Sequence, residues 1–396
     1  MLVRVTTHGC KLIATPLKST HRILPFRRKV RDYLEYLPHG DQSNQRRYCN
    51  GSGKCTKNEM VFSGEAMRAA IVREFGPIST HSVGELPDPH PGPGEVLVAV
   101  KAAAVNYVDS LVVTGKYQFL PERPFAPGKL PAGEISALGT GVTGLEIGDR
   151  VLTMAEQGGY AEKVSVDARQ CFELPSSMSF VDAASMALVY DTSWFALRER
   201  ARIREGESVL VLGSTGGVGF AAIQLAKAMG AKVLAGVSNS AKAHLAREAG
   251  SDELIDLSTP NLRNALREQV FAKNGGQGVD IVIDPVGGDA FDAALRALAW
   301  RGRLVVIGFA SGRISSVKAN YLLVKNIEVS GLQVSDYRKR RPDLMRQCMR
   351  EIFSWYEAGK LRPAVAISYP LDSFAQALQD VVDRRANGRI VLVPNL

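Results

Sequence analysis

The sequence predicts an α/β protein in which a doubly wound parallel sheet is joined to a β-rich unit. Beyond residue 207, apolar strands alternate with helices at the spacing typical of a parallel sheet. Before residue 167, short Val- and Ala-rich segments alternate with glycine turns, as in a compact antiparallel barrel-like unit. The 37 glycines and 19 prolines among 396 residues are too few for a collagen-like or wholly disordered chain.

The β-rich unit opens with two strands, predicted over Met67–Val72 and Glu95–Val105 and separated by the Pro/Gly-rich segment Pro87–Gly94. Glycine turns punctuate the next part, Gly133–Val166. A helical stretch over Phe180–Arg200 then leads into the parallel sheet.

The parallel sheet is predicted from an alternation of apolar strands and amphipathic helices. The predicted strands are Ser208–Leu212, Lys232–Val237, Val279–Ile283 and Arg303–Ile307, and the predicted helices are Gly217–Met229, Ala241–Ala249 and Ala290–Ala299. A helix over Leu344–Ala358 and a strand over Arg389–Val393 return the chain to the first unit. The charge-free run Ser208–Ala226 contains four glycines, so we interpret it as a buried strand and a turn, not as a membrane span.

The net charge of +9 is concentrated at the start of the chain. Residues 1–66 carry 12 Lys and Arg against 5 Asp and Glu, so the rest is nearly neutral and nucleic-acid binding is not favoured. We interpret residues 1–66 as a disordered or non-native extension, with a mitochondrial presequence as the less favoured alternative. The five cysteines form no disulfide framework, which favours a reducing, cytoplasmic location.

A glycine-rich turn between the first predicted strand and helix of the parallel sheet carries most of the functional argument. The segment Gly213–Gly219 has the context of a dinucleotide fingerprint, in which glycines admit a pyrophosphate and the helix start offers free N–H groups. The predicted cofactor-binding residues here are Ser214, Gly216, Gly217, Val218 and Gly219, with Ser214 in the slot of the usual first glycine.

The end of the second strand indicates which nicotinamide cofactor binds. NAD sites place Asp or Glu about 20 residues past the glycines, yet no acidic residue occurs between Gly219 and Arg247. Ser238 and Lys242 stand there instead, and a hydroxyl with an ammonium suits the 2′-phosphate of NADPH. The alternative is that Lys242 is a solvated residue of the next helix.

Several strings, in order, resemble the medium-chain dehydrogenase/reductase superfamily and its zinc-free NADPH:quinone oxidoreductase, or zeta-crystallin-like, branch. They are Ala104–Asp109, Thr114–Tyr117, Gly141–Val151, the Ser-Thr-Gly-Gly-Val-Gly turn, Asp284–Gly288 and Gly359–Pro363. The resemblance runs from Met67 to Leu396. It implies a GroES-like β-rich catalytic domain over residues 67–190 and 335–396, and a Rossmann NADPH-binding domain over residues 191–334.

The resemblance also implies that no metal binds. Zinc-dependent members carry Cys where this chain has Asn106, and a His-Glu pair where it has Lys129 and Leu130. Zinc requires thiolate, imidazole or carboxylate ligands, which these residues cannot supply. Many zinc-free relatives keep an acid near Lys129, so the polarity of this part of the pocket stays open.

Three residues acquire roles from the resemblance. Asn106 corresponds to a position beside the nicotinamide, where its amide N–H holds the oxygen of the acceptor. Tyr117 corresponds to a proton donor of enoyl thioester reductases, and Thr192 to a cofactor contact. The alternatives are that Asn106 is a turn residue and that Tyr117 caps the barrel core. Asp191 stands where relatives often have glycine.

The resemblance implies hydride transfer from NADPH to a quinone. The enzymatic alternative is an enone or enoyl-thioester reductase, and the non-enzymatic one is an NADPH-binding, RNA-associated protein like the zeta-crystallins. A thioester with a CoA tail would favour a basic rim, but we interpret the run Arg338–Arg341 as a solvated loop. The habit of the family predicts a homodimer, and no membrane or nucleic-acid partner is expected.

Overall fold

The computed structural model describes residues 65–364 and 366–396. The predicted extension therefore lies outside the described residues except for Glu65 and Ala66, and Ala66 already begins the first strand. No helix in the described part of the chain is long and apolar enough to cross a membrane.

The β-rich unit is an antiparallel sheet with a separate two-stranded hairpin. Its strands are β1 (Ala66–Ile71), β2 (Ser82–Pro87), β3 (Glu95–Ala104), β4 (Ala132–Leu138), β5 (Arg150–Thr153), β6 (Lys163–Asp167) and β7 (Cys171–Glu173), and its first helix is α1 (Tyr107–Val113). β1 pairs with β2, while β3 pairs with both β4 and β6. Valines alternate along β3 so that one face is buried, which matches the period-two pattern of the sequence.

Two helices lead out of this unit, α2 (Phe180–Met186) and α3 (Val189–Trp194). The sequence predicted a single helical stretch here. Leu188, with a φ of 67°, interrupts it, and α3 continues into a π-helical turn over Phe195–Arg200.

The middle of the chain forms the predicted doubly wound sheet, with six parallel strands. They are β8 (Ser208–Val211), β9 (Lys232–Val237), β10 (Glu253–Asp256), β11 (Val279–Asp284), β12 (Leu298–Val306) and β13 (Glu328–Gly331), in the order β10-β9-β8-β11-β12-β13. The helices between them are α4 (Gly217–Ala228), α5 (Ala243–Glu248), α6 (Leu262–Lys273), α7 (Gly288–Ala297) and α8 (Ala319–Lys325). The two edge strands, β10 and β13, were not predicted because each has four residues and an acidic start.

The end of the chain returns to the β-rich sheet. Its elements are α9 (Val334–Arg340), α10 (Pro342–Glu357), β14 (Ala366–Pro370), α11 (Phe374–Val382) and β15 (Arg389–Val393). β15 runs antiparallel to β3, with Val391 opposite Ala104. One apolar core cluster includes Leu130 of the β-rich unit and Val209 of β8, so the two units share part of one buried core.

Candidate functional site

The turn between β8 and α4, Gly213–Gly216, has the geometry of an anion site. Gly213 has a φ of 62°, and an ideal Cβ on Gly219 would lie 2.3 Å from the Gly213 carbonyl oxygen. Because Gly219 has no side chain, the first turn of α4 can pack directly on this loop. The N–H groups of Gly217, Val218 and Gly219 have no acceptor within the helix, nor in any other described residue. They are available to a phosphate together with the positive end of the helix.

Ser214 uses both its hydroxyl and its backbone N–H within the protein, and its predicted contact with the cofactor stays a prediction. Its hydroxyl donates to the Val211 carbonyl at 2.7 Å, its N–H donates to the Gly236 carbonyl, and the residue is fully buried. Ser214 therefore shapes the turn.

Arg389, the first residue of β15, approaches the turn from the β-rich unit. Its Nε donates to the Ser185 carbonyl at 3.1 Å and its Nη2 donates to Asn106 Oδ1 at 2.7 Å. Its Nη1 has no hydrogen-bond partner within the described ranges and would lie 2.8 Å from a Cβ on Gly217. Burial lowers the pKa of Arg389 to about 10, so the guanidinium is still charged at neutral pH. Sequence reasoning missed Arg389, although it is the one charged residue of β15.

Asn106 is held in one orientation by this contact and by the backbone. Its Nδ2 donates to the Ala104 carbonyl at 3.1 Å, which leaves one amide N–H, and its backbone N–H donates to Asp109 at 2.9 Å. Tyr160 donates to the same Asp109 oxygen at 2.8 Å. Burial raises the pKa of Asp109, and the positive charge of Lys129 opposes that shift.

Tyr117 lies half-buried, with its hydroxyl oxygen accepting a hydrogen bond from Gln333 Nε2 at 3.2 Å. Because the amide of Gln333 donates, the proton of the phenol remains free for another acceptor. Lys129 Nζ lies 5.7 Å from the centroid of the Tyr117 ring.

Four charged side chains form a connected group, termed here the charged cluster: Lys129, Glu156, Asp191 and Arg338. Glu156 accepts from Lys129 Nζ and from Arg338 Nη1, each at 2.8 Å, and Asp191 accepts from Arg338 Nη2 at 2.6 Å. The two cations hold the pKa of Glu156 below its ordinary value despite burial, whereas burial raises the pKa of Asp191.

The helical position and burial of Arg338 contradict the interpretation of the run Arg338–Arg341 as a solvated loop. Residues up to Arg340 belong to α9, and the Arg338 side chain is 2% exposed. Asp191 and Glu156, which neutralise it, are distant in sequence, so the run alone could not reveal this role.

Thr192 follows Asp191 and is buried, and its N–H donates to the Asp191 carboxylate at 2.8 Å. Its hydroxyl has no hydrogen-bond partner among the residues that the structure describes. The charged cluster thus links Thr192 to the surroundings of Tyr117, whereas Arg389 links Asn106 to the glycine turn.

Ser238 and Lys242 lie beyond the end of β9. Ser238 is exposed, while Lys242 Nζ donates to the carbonyls of Arg384 and Ala386, at 2.8 and 3.0 Å. These bonds tie Lys242 to the loop before β15 and leave one N–H for a ligand.

No group of three or more His, Cys, Asp or Glu side chains placed to hold a metal ion occurs in the described ranges. The positions at which zinc-dependent members carry a His-Glu pair hold Lys129, which is 6% exposed, and the fully buried Leu130.

Comparison with known proteins shows the family to which the chain belongs. Residues 92–176 match the family model described as the alcohol dehydrogenase GroES-like domain, and residues 217–351 match the zinc-binding dehydrogenase model. A quinone oxidoreductase-like protein 2 homolog from Nematostella vectensis is 33% identical over 379 residues, 95% of this chain and 96% of the relative. That match is long enough to include part of residues 1–66.

Two solved structures share the fold described above. The Escherichia coli quinone oxidoreductase in complex with NADPH is 29% identical, covers 83% of this chain and 99% of its own, and has a TM-score of 0.75. A mycobacterial protein in complex with NADPH is 32% identical, covers 83% of this chain and 100% of its own, and has a TM-score of 0.77. The chain therefore belongs to the medium-chain dehydrogenase/reductase superfamily of oxidoreductases, in its zinc-free quinone oxidoreductase branch.

Proposed function

We propose that this protein is an NADPH-dependent, zinc-independent oxidoreductase that transfers hydride to a quinone. The observation that carries the proposal is the glycine turn, whose free N–H groups lie near Arg389 Nη1, an atom with no hydrogen-bond partner among the described residues. This pairing of helix N-terminus and guanidinium suits a pyrophosphate. Two similar structures were solved with NADPH, and the bound cofactor would supply the hydride.

In this proposal, the residues of this chain bind the cofactor and orient it and the acceptor. Gly216, Gly217, Val218 and Gly219 hold the pyrophosphate with Arg389. Ser238 and Lys242 contact the 2′-phosphate. The free hydroxyl of Thr192 and the remaining amide N–H of Asn106 serve the nicotinamide and the acceptor.

Reduction of an enone or enoyl thioester is the second candidate, and the geometry of Tyr117 favours it. Gln333 donates to the Tyr117 oxygen, so the phenol proton can be given to a substrate. Reduction of a conjugated C=C bond needs a proton at the α-carbon, whereas the oxygens of a reduced quinone are protonated by water.

A steady-state assay of NADPH oxidation over a panel of quinones and enones tests both candidates, with Tyr117→Phe as the variant. A positioned general acid contributes about 10²- to 10⁴-fold. We expect a loss in that range for enones, a loss below about tenfold for quinones, and little change in the KM for NADPH. Equal, small losses for both classes would make Tyr117 structural, and NADPH binding without turnover of any acceptor would favour the non-enzymatic alternative.

We further propose a homodimer formed through the free edge of β13. Three of the exposed apolar side chains lie on neighbouring elements: Leu323 and Val324 on α8, which precedes β13, and Trp300 on β12, which pairs with β13. The mass in solution, measured by light scattering for the wild type and for Leu323→Glu, tests this.

The domain limits remain a proposal from the sequence: a catalytic domain of residues 67–190 and 335–396, and a cofactor-binding domain of residues 191–334. Cys171 and Cys348 are free thiols. A cytoplasmic location is consistent with them.

A further inference from the structure

The ammonium of Lys129 is almost buried and only partly satisfied. It donates to the carbonyl oxygen of Glu156 at 3.0 Å and to Glu156 Oε2 at 2.8 Å. An ammonium has three N–H groups, and the third has no acceptor in the part of the chain that the structure describes. The Tyr117 ring lies beside it, with its centroid 5.7 Å from Nζ.

The backbone around Lys129 is fixed in an unusual shape. Gly128 has a φ of 94° and Leu130 a φ of 52°, a conformation that leucine rarely adopts. The Leu130 N–H donates to the Ala155 carbonyl at 2.8 Å, next to Glu156. Main chain and side chain of this segment are therefore anchored to the same loop, and strain of this kind is frequent at active sites.

The other two members of the charged cluster, Arg338 and Asp191, fix the position of Glu156. Arg338 bonds to Glu156 through Nη1 and to Asp191 through Nη2, and the side chains of Arg338 and Asp191 are 2% and 1% exposed. The direction of the third Lys129 N–H is thus set before any ligand arrives. A donor oriented in advance stabilises developing charge without reorganisation.

We propose that Lys129 is a catalytic residue whose free N–H donates to the carbonyl oxygen of the acceptor. The inference rests on the proposed function. Hydride, with its electron pair, leaves a reduced nicotinamide and bonds to the β-carbon of an enone. The C=C electrons move to the carbonyl oxygen, which Lys129 stabilises as an anion, and the enolate then takes a proton at its α-carbon from Tyr117 or water. In a quinone the same contact stabilises the oxygen that becomes the hydroquinone anion.

Binding of 4-nitrophenol to the protein loaded with NADP⁺ tests the contact without turnover. The phenolate imitates the anionic oxygen and absorbs visible light, and the cofactor fills the glycine turn. We expect the wild type to prefer the phenolate to the neutral phenol. Lys129→Met should weaken phenolate binding about 10- to 100-fold, as expected for a lost charge-assisted hydrogen bond, and leave binding of the neutral phenol nearly unchanged. Lys129→Arg should restore part of the preference.

The matched control is Lys163→Met, since Lys163 also pairs with a carboxylate, Asp88, but on β6. It should leave phenolate binding unchanged. The kcat of Lys129→Met should fall about 10²- to 10³-fold, as for loss of one oxyanion donor, with the KM for NADPH unchanged.

Three outcomes would overturn the inference. The first is a wild type that does not prefer the phenolate, and this measurement does not depend on the folding of any variant. The others are a folded Lys129→Met that keeps the preference, or a Lys163→Met that loses the preference as much as Lys129→Met does. Failure of the proposed function is distinguishable, because the wild type would then oxidise no NADPH with any quinone or enone, whatever its preference for phenolate.

Discussion

The glycine turn and the charged cluster are polar sites built in opposite ways. The turn belongs to one continuous segment and offers backbone N–H groups to a ligand. Its geometry depends on Gly219, because a side chain at this position would clash with the neighbouring backbone. The charged cluster joins four segments between residues 129 and 338, and it depends on each of its side chains. The difference teaches that a site made by contiguous backbone can be identified from sequence, whereas a site made by distant charges emerges only once the fold brings them together.

Substitution of Gly219 should give the largest effect, because it breaks the backbone site itself. In Gly219→Ala the new Cβ would lie 2.3 Å from the Gly213 carbonyl oxygen and 2.7 Å from Ser214 Cα. Overpacking against backbone costs about 3 kcal/mol. We expect the stability to fall by that amount and NADPH affinity to fall about 100-fold, measured by thermal unfolding and by cofactor fluorescence.

Gly216→Ala is the matched control. Gly216 has a φ of −86°, and its Cβ would meet only the Gly213 oxygen, at 3.4 Å. The melting temperature should therefore stay close to that of the wild type. If Gly219→Ala behaves like Gly216→Ala, the turn is not the close-packed site described here.

The fold was largely predictable because its signals are local. β9 and β15 have the predicted limits, Lys232–Val237 and Arg389–Val393, and the glycine turn lies between a strand and a helix as expected. The edge strands β10 and β13 were missed because four residues with an acidic start carry little hydrophobic pattern. The break at Leu188 was missed because a positive φ in leucine is imposed by tertiary packing, not by local preference.

Arg389→Gln tests whether a side chain completes the backbone site. Loss of a charge-assisted hydrogen bond costs about 1.5 to 3 kcal/mol. We expect NADPH and NADH to be weakened alike, since both carry a pyrophosphate, and Arg389→Lys to keep part of the affinity. Titration of both cofactors measures this, and unchanged affinity for both would remove Arg389 from the site.

Lys242→Ala should have a smaller and more selective effect. Two N–H groups of Lys242 already donate to the Arg384 and Ala386 carbonyls, so one remains for the 2′-phosphate. We expect NADPH to bind about 1 to 2 kcal/mol more weakly and NADH to bind as before. Equal losses for both cofactors would mean that Lys242 acts only by holding the loop before β15.

The candidate site was predictable only in part, for reasons of chain separation. Gly217 and Gly219 were found from one motif, whereas Arg389 reaches that motif from the far end of the chain. Arg338 was misinterpreted because its neighbours in sequence are basic, while its partners Glu156 and Asp191 are far away in sequence. For Ser214, the motif does not reveal that its hydroxyl donates a hydrogen bond to the Val211 carbonyl.

The smallest predicted effect concerns the acid stability of the charged cluster. Arg338 and Lys129 hold the pKa of Glu156 below its ordinary value of 4.5, so the ionised carboxylate stabilises the folded state. This contribution is fully present above pH 4.5 and is lost as the pH falls through the lowered pKa of the folded protein. Because the Glu156 side chain is 36% exposed, solvent screening limits this contribution to the free energy of unfolding to about 1 kcal/mol.

Glu156→Gln should therefore be less stable than the wild type by that amount at pH 7, and the difference should shrink below pH 4.5. Urea unfolding across this range measures the difference, with Glu134→Gln, which loses an exposed pair with Lys101, as the control. A deficit in Glu156→Gln that does not change with pH would show that the carboxamide disturbs packing, and that the charge of Glu156 does not stabilise the cluster.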